Sequence, residues 1–293
     1  MKPAAAIALA VALSTAAGAQ PPAYHSQTRL IVVHATVRNA RGELVTGLAR
    51  DAFTVYEDGR RQPITLFLND DIPVSLGLLI DNSGSMRTLR SKVETAALAL
   101  VRASNPQDEV FVLNFNDKTR IDVPFTSEVG MLEAGIARVD SIGGTAMRDA
   151  IDMGQTYLAQ HAARDRKVLL VITDGIDNAS IITRDRIEKQ ASARDTVVFA
   201  IGLFGGADRA KEGRHELDRL AERTGGAAFY PADIDDVGHV ALEIARQIRT
   251  QYTIAYAPTN QALDGTYRAI RVTVSAPEHM TARTRTGYLA TAR

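Results

Sequence analysis

Three oxygen-bearing side chains, Asp81, Ser83 and Ser85, are spaced two residues apart in a D-x-S-x-S pattern. Asp81 directly follows the apolar run at residues 74–80, so these side chains lie on the loop that leaves a predicted strand. A carboxylate and two hydroxyls on one tight loop are ligands of the kind that a hard divalent cation prefers. Aspartate and serine are also ordinary turn and helix-capping residues, so this pentapeptide alone leaves both interpretations open.

Two segments further along the chain carry side chains of the same kinds. Thr145 follows a Gly-Gly pair and opens a predicted helix, whereas Asp174 follows the apolar run at residues 167–173. Each is explained on its own by helix capping or by a turn. In a doubly wound sheet, however, the loops at the carboxyl ends of the strands line the crevice in which ligands bind. The positions of Asp81 and Asp174 therefore suit a binding site.

The elements that must position these loops alternate between apolar runs and amphipathic stretches, which is typical of β-α units that build a mostly parallel sheet. Largely continuous apolar runs suit strands covered by helices on both faces. They lie at residues 74–80, 109–115, 167–173 and 196–203. Helical stretches lie at residues 89–101, 147–163, 182–191 and 234–248. We predict an α/β domain over residues 71–250, with a doubly wound, mostly parallel sheet and helices on both faces.

The segments on either side of this domain have a different pattern, with short strands separated by turn signals. The predicted strands are at residues 29–37, 53–57, 64–68, 252–256, 267–274 and 283–289. Asp58-Gly59 and Asp264-Gly265 are typical hairpin turns. Because neither flank has enough strands for a stable sheet of its own, we expect residues 20–70 and 251–293 to pair into one small β-domain.

The first 19 residues have the charged, apolar and small-residue parts of a secretory signal, and we predict cleavage after Ala19. The alternative is an N-terminal membrane anchor, for which this alanine-rich run is short. The sequence has no cysteine, and hence neither disulfides nor a cysteine for a lipid anchor. We therefore expect an exported protein of the bacterial periplasm or exterior, without a transmembrane anchor after cleavage.

Charge balance argues against some classes of partner. The 34 lysines and arginines equal the 34 aspartates and glutamates among 293 residues. No strong overall field attracts such a chain to nucleic acid or to an anionic membrane, so charge-based recognition must be local.

Taken together, in this order and on these elements, the three oxygen-bearing segments resemble the metal-ion-dependent adhesion site (MIDAS) of von Willebrand factor A domains. The resemblance covers residues 72–251. It implies that three hydroxyls contact a divalent cation and that two carboxylates hold it directly or through water. The hydroxyls are those of Ser83, Ser85 and Thr145, and the carboxylates are those of Asp81 and Asp174. The expected ion is Mg²⁺, with Mn²⁺ or Ca²⁺ as alternatives.

The flanks also resemble a group of exported bacterial proteins related to von Willebrand factor A. The resemblance lies in residues 45–48 and 53–59 before the central domain, and in residues 251–252 and 285–288 after it. For that group the resemblance implies a fold and export, and little about a ligand.

The expected function follows from the small number of charged ligands. With only two carboxylates and three neutral hydroxyls, the ion keeps an unfilled position that an Asp or Glu of a protein partner can occupy. We expect a binding or adhesion protein with no catalytic residues. One alternative is a structural or scaffolding component of an envelope complex that does not use the metal. Another is a hydrolase, but no G-x-S-x-G, P-loop or H-E-x-x-H motif is present, and no histidine is near Ser83 or Ser85 in sequence.

Overall fold

The computed structural model describes residues 29–138, 141–204, 207–276 and 279–291. The predicted signal peptide at residues 1–19 lies outside these described residues. Within the described ranges, no helix has both the length and the apolar character needed to cross a membrane.

Fourteen strands and six α-helices make up the described part of the chain. The strands are β1 (Ile31–Asn39), β2 (Phe53–Glu57), β3 (Arg60–Gln62), β4 (Ile64–Leu68), β5 (Val74–Asp81), β6 (Glu109–Phe115), β7 (Thr119–Thr126), β8 (Arg166–Thr173), β9 (Val197–Gly202), β10 (Ala228–Phe229), β11 (Tyr252–Tyr256), β12 (Tyr267–Val274), β13 (Met280–Arg283) and β14 (Gly287–Leu289). The helices are α1 (Arg90–Ala103), α2 (Val129–Ile136), α3 (Met147–His161), α4 (Arg184–Ala193), α5 (Ala207–Thr224) and α6 (Val237–Arg249).

The central sheet has six strands in the order β10-β9-β8-β5-β6-β7, and all of its pairings are parallel except that of β6 with β7. Every residue of β5 is buried, as the continuous apolar run predicts. One core cluster joins the sheet to α1, α2 and α6, and a second joins its other face to α3, α4 and α5. The prediction of a mostly parallel sheet covered by helices on both faces is confirmed.

Strand β7 and helix α2 of this domain have no counterpart in the sequence pattern. Helix α5 and strand β10 agree with the helix end that the Gly225-Gly226 pair indicates and with the short strand expected after it. The sequence of β7 contains charged residues and Pro124, which do not form an apolar run. Proline cannot donate a hydrogen bond to a neighbouring strand, and it is tolerated here because β7 is the edge of the sheet. The edge position, which the sequence does not reveal, explains this departure from a strand pattern.

The flanks form two four-stranded antiparallel sheets, in the orders β13-β1-β11-β4 and β14-β12-β2-β3. Each sheet combines strands from before and after the central domain, which confirms that the two flanks pair with each other. The apolar side chains of both sheets meet in one core cluster that includes Val33, Val55, Ile254 and Tyr288.

The prediction of a hairpin at Asp264-Gly265 is wrong. Strands β11 and β12, which this turn should join, lie in different sheets, and the Gly265 N–H instead bonds to the Ala290 carbonyl at 2.9 Å. The single strand predicted at residues 283–289 is likewise two strands in different sheets, β13 and β14. The Asp58-Gly59 turn does form a hairpin, which joins β2 to β3. The φ angles are positive at both residues, 47° at Asp58 and 78° at Gly59.

A buried carboxylate connects the two flanking sheets. Glu57, on β2, is 3% exposed and accepts hydrogen bonds from Tyr256 on β11 at 2.7 Å and from Tyr288 on β14 at 2.9 Å. Burial, together with the bond to Glu57, raises the pKa of both tyrosines. Both hydroxyls therefore stay protonated and act as hydrogen-bond donors. Glu57 thus holds a side chain from each sheet.

We expect Glu57→Ala to lower the free energy of unfolding by about 2–4 kcal/mol, because two buried tyrosine hydroxyls lose their acceptor. Urea unfolding followed by near-ultraviolet circular dichroism measures this change. Glu43→Ala removes an exposed carboxylate of the same flank and should change the free energy by less than about 0.5 kcal/mol. Equal effects of the two substitutions would contradict the role given to Glu57.

Candidate functional site

The candidate site lies at the carboxyl end of β5. Strands β5 and β8 are parallel neighbours, with Ile80 opposite Ile172, so Asp81 and Thr173 reach the same edge of the sheet. The chain runs from β5 to β6 on one side, and β8 joins β5 on the other. Such a reversal of strand order opens the crevice in which doubly wound sheets bind ligands.

Asp81 is completely buried, and neighbouring groups fix the orientation of its carboxylate. The Thr173 hydroxyl donates a hydrogen bond to Oδ2 at 2.6 Å, and the backbone N–H of Ser83 donates to Oδ1 at 2.8 Å. Burial raises the pKa of Asp81 to about 6, although the bonds from Thr173 and Ser83 act in the opposite direction. Without a cation, this side chain therefore ionises less readily than an ordinary aspartate.

Three of the remaining candidates are hydrogen-bonded to one another. The Ser83 and Ser85 hydroxyls lie 3.1 Å apart, and the Ser85 hydroxyl donates to Asp174 Oδ1 at 2.8 Å. Burial also raises the pKa of Asp174, against the lowering effect of the bond from Ser85. The charge of Asp174 in turn adds to the raised pKa of Asp81, so the two carboxylates interact.

Thr145 reaches the same edge through contacts with the two other loops. A Cβ atom placed on Gly175 would lie 2.8 Å from Thr145 Oγ1, so the hydroxyl packs directly against the residue that follows Asp174. The Gly84 N–H donates to the Gly143 carbonyl at 3.2 Å, which joins the serine loop to the loop of Thr145. The structure thus brings the three predicted segments together at one edge of the sheet.

The charges around the site fit a divalent cation. Among the described residues, neither Asp81 nor Asp174 forms an ion pair with a basic side chain. Arg90 is within electrostatic reach of Asp81, but its guanidinium bonds to Glu94 and to backbone carbonyls. Two carboxylates and several hydroxyls without a basic partner form a donor set that suits Mg²⁺, Mn²⁺ or Ca²⁺.

The same donor set differs from a site built mainly of acids. The described part of the chain has no cluster of three or more His, Cys, Asp or Glu side chains that could hold a metal. Any ion at this edge would thus depend on neutral hydroxyls for many of its ligands.

Sequence reasoning missed Thr173 and Asn178, which bond to Asp81 and Thr145, and Asp117, which bonds to Gly144 next to Thr145. Thr173 ends the apolar run of β8 next to Asp174, and a hydroxyl at that position was an available signal. Asp117 and Asn178 bond to backbone groups of the loop that carries Thr145. Nothing in their spacing indicates these bonds, because the bonded residues are about 30 positions apart in the chain.

Comparison with known families matches residues 76–176 to the von Willebrand factor type A domain. A search of curated proteins found no significant match. Among solved structures, the fold is similar to a von Willebrand factor type A protein from Catenulispora acidiphila, with a TM-score of 0.53 and 14% identity over 90% of this chain and 75% of that one.

Two further solved structures are similar over a smaller part of the chain. The PilB minor pilin from Streptococcus sanguinis has a TM-score of 0.51 and 15% identity over 62% of this chain and 63% of that one. Proximal thread matrix protein 1 from the mussel byssus, with a zinc-occupied MIDAS motif, has a TM-score of 0.53 and 16% identity over 66% of this chain and 50% of that one. This chain thus spans less than two thirds of either protein, and the likeness concerns the fold.

We expect the stability of the metal-free protein to depend on pH through Asp81. In the folded protein Asp81 keeps its proton up to about pH 6, whereas in the unfolded chain it ionises near its ordinary pKa of 3.8. Its ionisation therefore favours unfolding, and its contribution to the free energy of unfolding falls as pH rises from about 4 to about 6.

Urea unfolding in EDTA at a series of pH values measures this dependence. Asp81→Asn cannot ionise, so the difference in free energy between the variant and the wild type should change across this interval. A constant difference would show that Asp81 has an ordinary pKa in the folded protein.

Proposed function

Because the chain contains a von Willebrand factor type A domain, we propose that it is an exported, metal-dependent binding protein that captures an acidic side chain of a protein partner. The observation that carries the proposal is the continuous set of contacts among Asp81, Ser83, Ser85 and Asp174, with Thr145 against the next residue, Gly175. These side chains meet without a basic partner, in a crevice at the carboxyl ends of parallel strands.

In this proposal the hydroxyls of Ser83, Ser85 and Thr145 contact the cation, and the carboxylates of Asp81 and Asp174 hold it directly or through water. The bound ion, Mg²⁺ or alternatively Mn²⁺ or Ca²⁺, supplies a positive charge with a free position for a carboxylate ligand. The mussel protein of similar fold has been solved with zinc in its MIDAS motif, which supports the use of this edge for a metal. The protein ligands carry only two negative charges, so the ion still attracts an Asp or Glu side chain of a partner.

Exposed apolar side chains beside the site support a protein as the partner. Ile142 is 60% exposed and directly precedes Gly143, which bonds to the serine loop. Ile181 is 92% exposed, and its N–H bonds to Asp149 in the first turn of α3, the helix that follows Thr145. Apolar contacts around a central polar anchor are typical of protein interfaces.

A binding role is proposed in preference to a catalytic one. The Ser85 hydroxyl donates to Asp174, and no described histidine bonds to Ser83 or Ser85. A serine nucleophile needs a general base within hydrogen-bond reach. The arrangement of the described residues supports metal ligation better than nucleophilic attack.

We propose that the protein acts in the bacterial periplasm or exterior, after removal of residues 1–19. The pattern of those residues supports export, and the absence of cysteine suits a chain that needs no disulfide chemistry. The balanced charge of the chain supports a protein partner in preference to nucleic acid.

Ser83→Ala tests the proposal, because it removes one hydroxyl ligand and leaves the buried Asp81 in place. We expect calorimetric titration with Mn²⁺ to show at least a tenfold weaker affinity than in the wild type, the result of losing a ligand bond of about 1.4 kcal/mol. Melting in EDTA should shift by only a few degrees. Ser91→Ala, on the exposed face of α1, is the matched control and should leave the affinity unchanged.

Affinity capture with Mg²⁺ and elution with EDTA tests the partner. We expect the wild type to release an acidic protein partner on chelation and Ser83→Ala to capture none. Capture that persists in EDTA would favour a structural role that does not use the metal. A metal-dependent hydrolysis that is lost in Ser83→Ala would favour an enzyme.

A further inference from the structure

The loop that carries Thr145 is held by three successive backbone N–H groups. The Gly144 N–H donates to Asp117 Oδ1 at 2.6 Å, and the Thr145 N–H donates to Asn178 Oδ1 at 2.8 Å. The Ala146 N–H donates to the carbonyl of Asn116 at 2.7 Å. The acceptors come from the turn between β6 and β7 and from the loop after β8, so the loop is bonded from two sides.

Asn178 forms two hydrogen bonds with the backbone of Thr145. Its side-chain oxygen accepts from the Thr145 N–H, while its own N–H donates to the Thr145 carbonyl at 3.1 Å. The N–H of Ala179 also donates to this carbonyl, at 3.3 Å. The backbone of Thr145 is thereby hydrogen-bonded to the loop that begins with Asp174, so the segments that carry two candidate ligands of the ion are joined directly.

The glycine pair before Thr145 is explained by the same two side chains. A Cβ atom on Gly144 would lie 2.5 Å from Asn178 Oδ1 and 2.8 Å from Asp117 Oδ1. Gly143 has a φ of +82°, and a Cβ atom there would lie 2.2 Å from Asp117 Oδ2. Any larger residue at either position would therefore displace Asp117 or Asn178.

The loop of Asn178 is itself anchored without a metal. The neighbouring Asp177 accepts hydrogen bonds from the backbone N–H of Arg148 at 2.7 Å and from its guanidinium at 2.8 Å. Asp177 also accepts from the Ser180 hydroxyl at 2.7 Å. These bonds fix the loop to the first turn of α3, so Asn178 rests on a rigid element.

We propose that Asp117 and Asn178 are positioning residues, which hold the Thr145 hydroxyl in its place before the cation arrives. Neither side chain belongs to the ligand set, and each acts through the backbone of the Thr145 loop. Fixing a ligand loop in advance removes the conformational entropy that binding would otherwise cost. This inference rests on the proposed metal site and goes further, because it adds two residues that control the affinity of that site.

Calorimetric titration with Mn²⁺ on the full chain tests the inference with four variants. We expect Asn178→Ala and Asp117→Ala each to weaken Mn²⁺ binding about fivefold to tenfold, the effect of one lost hydrogen bond. Asn178→Asp keeps an acceptor oxygen at the same place and should bind at least as tightly as the wild type. Lys118→Ala changes an exposed neighbour of Asp117 and should stay within about twofold of the wild type.

Hydrogen exchange in EDTA supplies a readout that does not depend on the metal. We expect faster exchange of the Thr145 N–H in Asn178→Ala and wild-type exchange in Asn178→Asp. A general loss of stability would instead accelerate exchange in the central strands as well, and the aspartate variant would not restore it.

The two proposals fail in distinguishable ways. If the wild type binds Mn²⁺ and both alanine variants bind it with the same affinity, the positioning role is overturned and the metal site stands. If the folded wild type does not bind Mn²⁺ while Ser91→Ala and Lys118→Ala behave identically to it, the proposed metal site fails and the positioning role fails with it. Should Asn178→Ala not fold, Asp117→Ala decides the question in the same titration.

Discussion

The burial of the Asp81 carboxylate is the constraint on which the candidate site depends. A carboxylate at the end of a fully buried strand loses its hydration, and this loss must be offset by hydrogen bonds, by a proton or by a cation. Thr173 and the Ser83 backbone supply two bonds, yet the pKa remains raised to about 6. A cation at this position would therefore offset the free-energy cost of burying the Asp81 carboxylate.

The position of this carboxylate is set by the strands that support it. Strand β5 lies between β6 and β8, and apolar clusters cover both faces of the sheet. Such a strand cannot slip by one residue without moving every side chain to the opposite face. A side chain in the place of Gly77 would then clash with Phe111 and Leu169. The rigid sheet fixes where β5 and β8 end, and the loops after those ends need to place only a few oxygen atoms.

The opposite end of β8 meets the flanking sheets. The guanidinium of Arg166, the first residue of β8, donates to Gln251 at 2.6 Å, and Gln251 donates to Thr36 on β1 at 3.1 Å. Arg166 is only 1% exposed, so this polar contact is enclosed between the central sheet and the flanking strands. A single strand thus runs from the junction between the two parts of the molecule to the edge that carries Asp174.

The order of residue types along the chain determined the main architecture. The apolar runs of β5 and β8 predict buried strands because a strand that is covered by helices on both faces buries every successive side chain. Asp81 and Asp174 follow these runs directly, so their location at the carboxyl edge of the sheet was predictable from sequence. The oxygen-bearing side chains at those positions are compatible with a cation. The expectation of a cation site comes from the resemblance of the three segments together, since each segment alone is also explained by capping or by a turn.

Tertiary structure decided everything that depends on contact between distant segments. The Asp264-Gly265 turn has the composition of a hairpin, yet the two strands beside it pair with strands of the other flank, because the shared core of the two sheets outweighs the local preference of the turn. The bonds from Asp117 and Asn178 to the Thr145 loop likewise exist only because the sheet brings three loops to one edge. Local pattern predicts which segments form strands and helices, whereas the partners of a side chain are set by which segments meet in the folded chain.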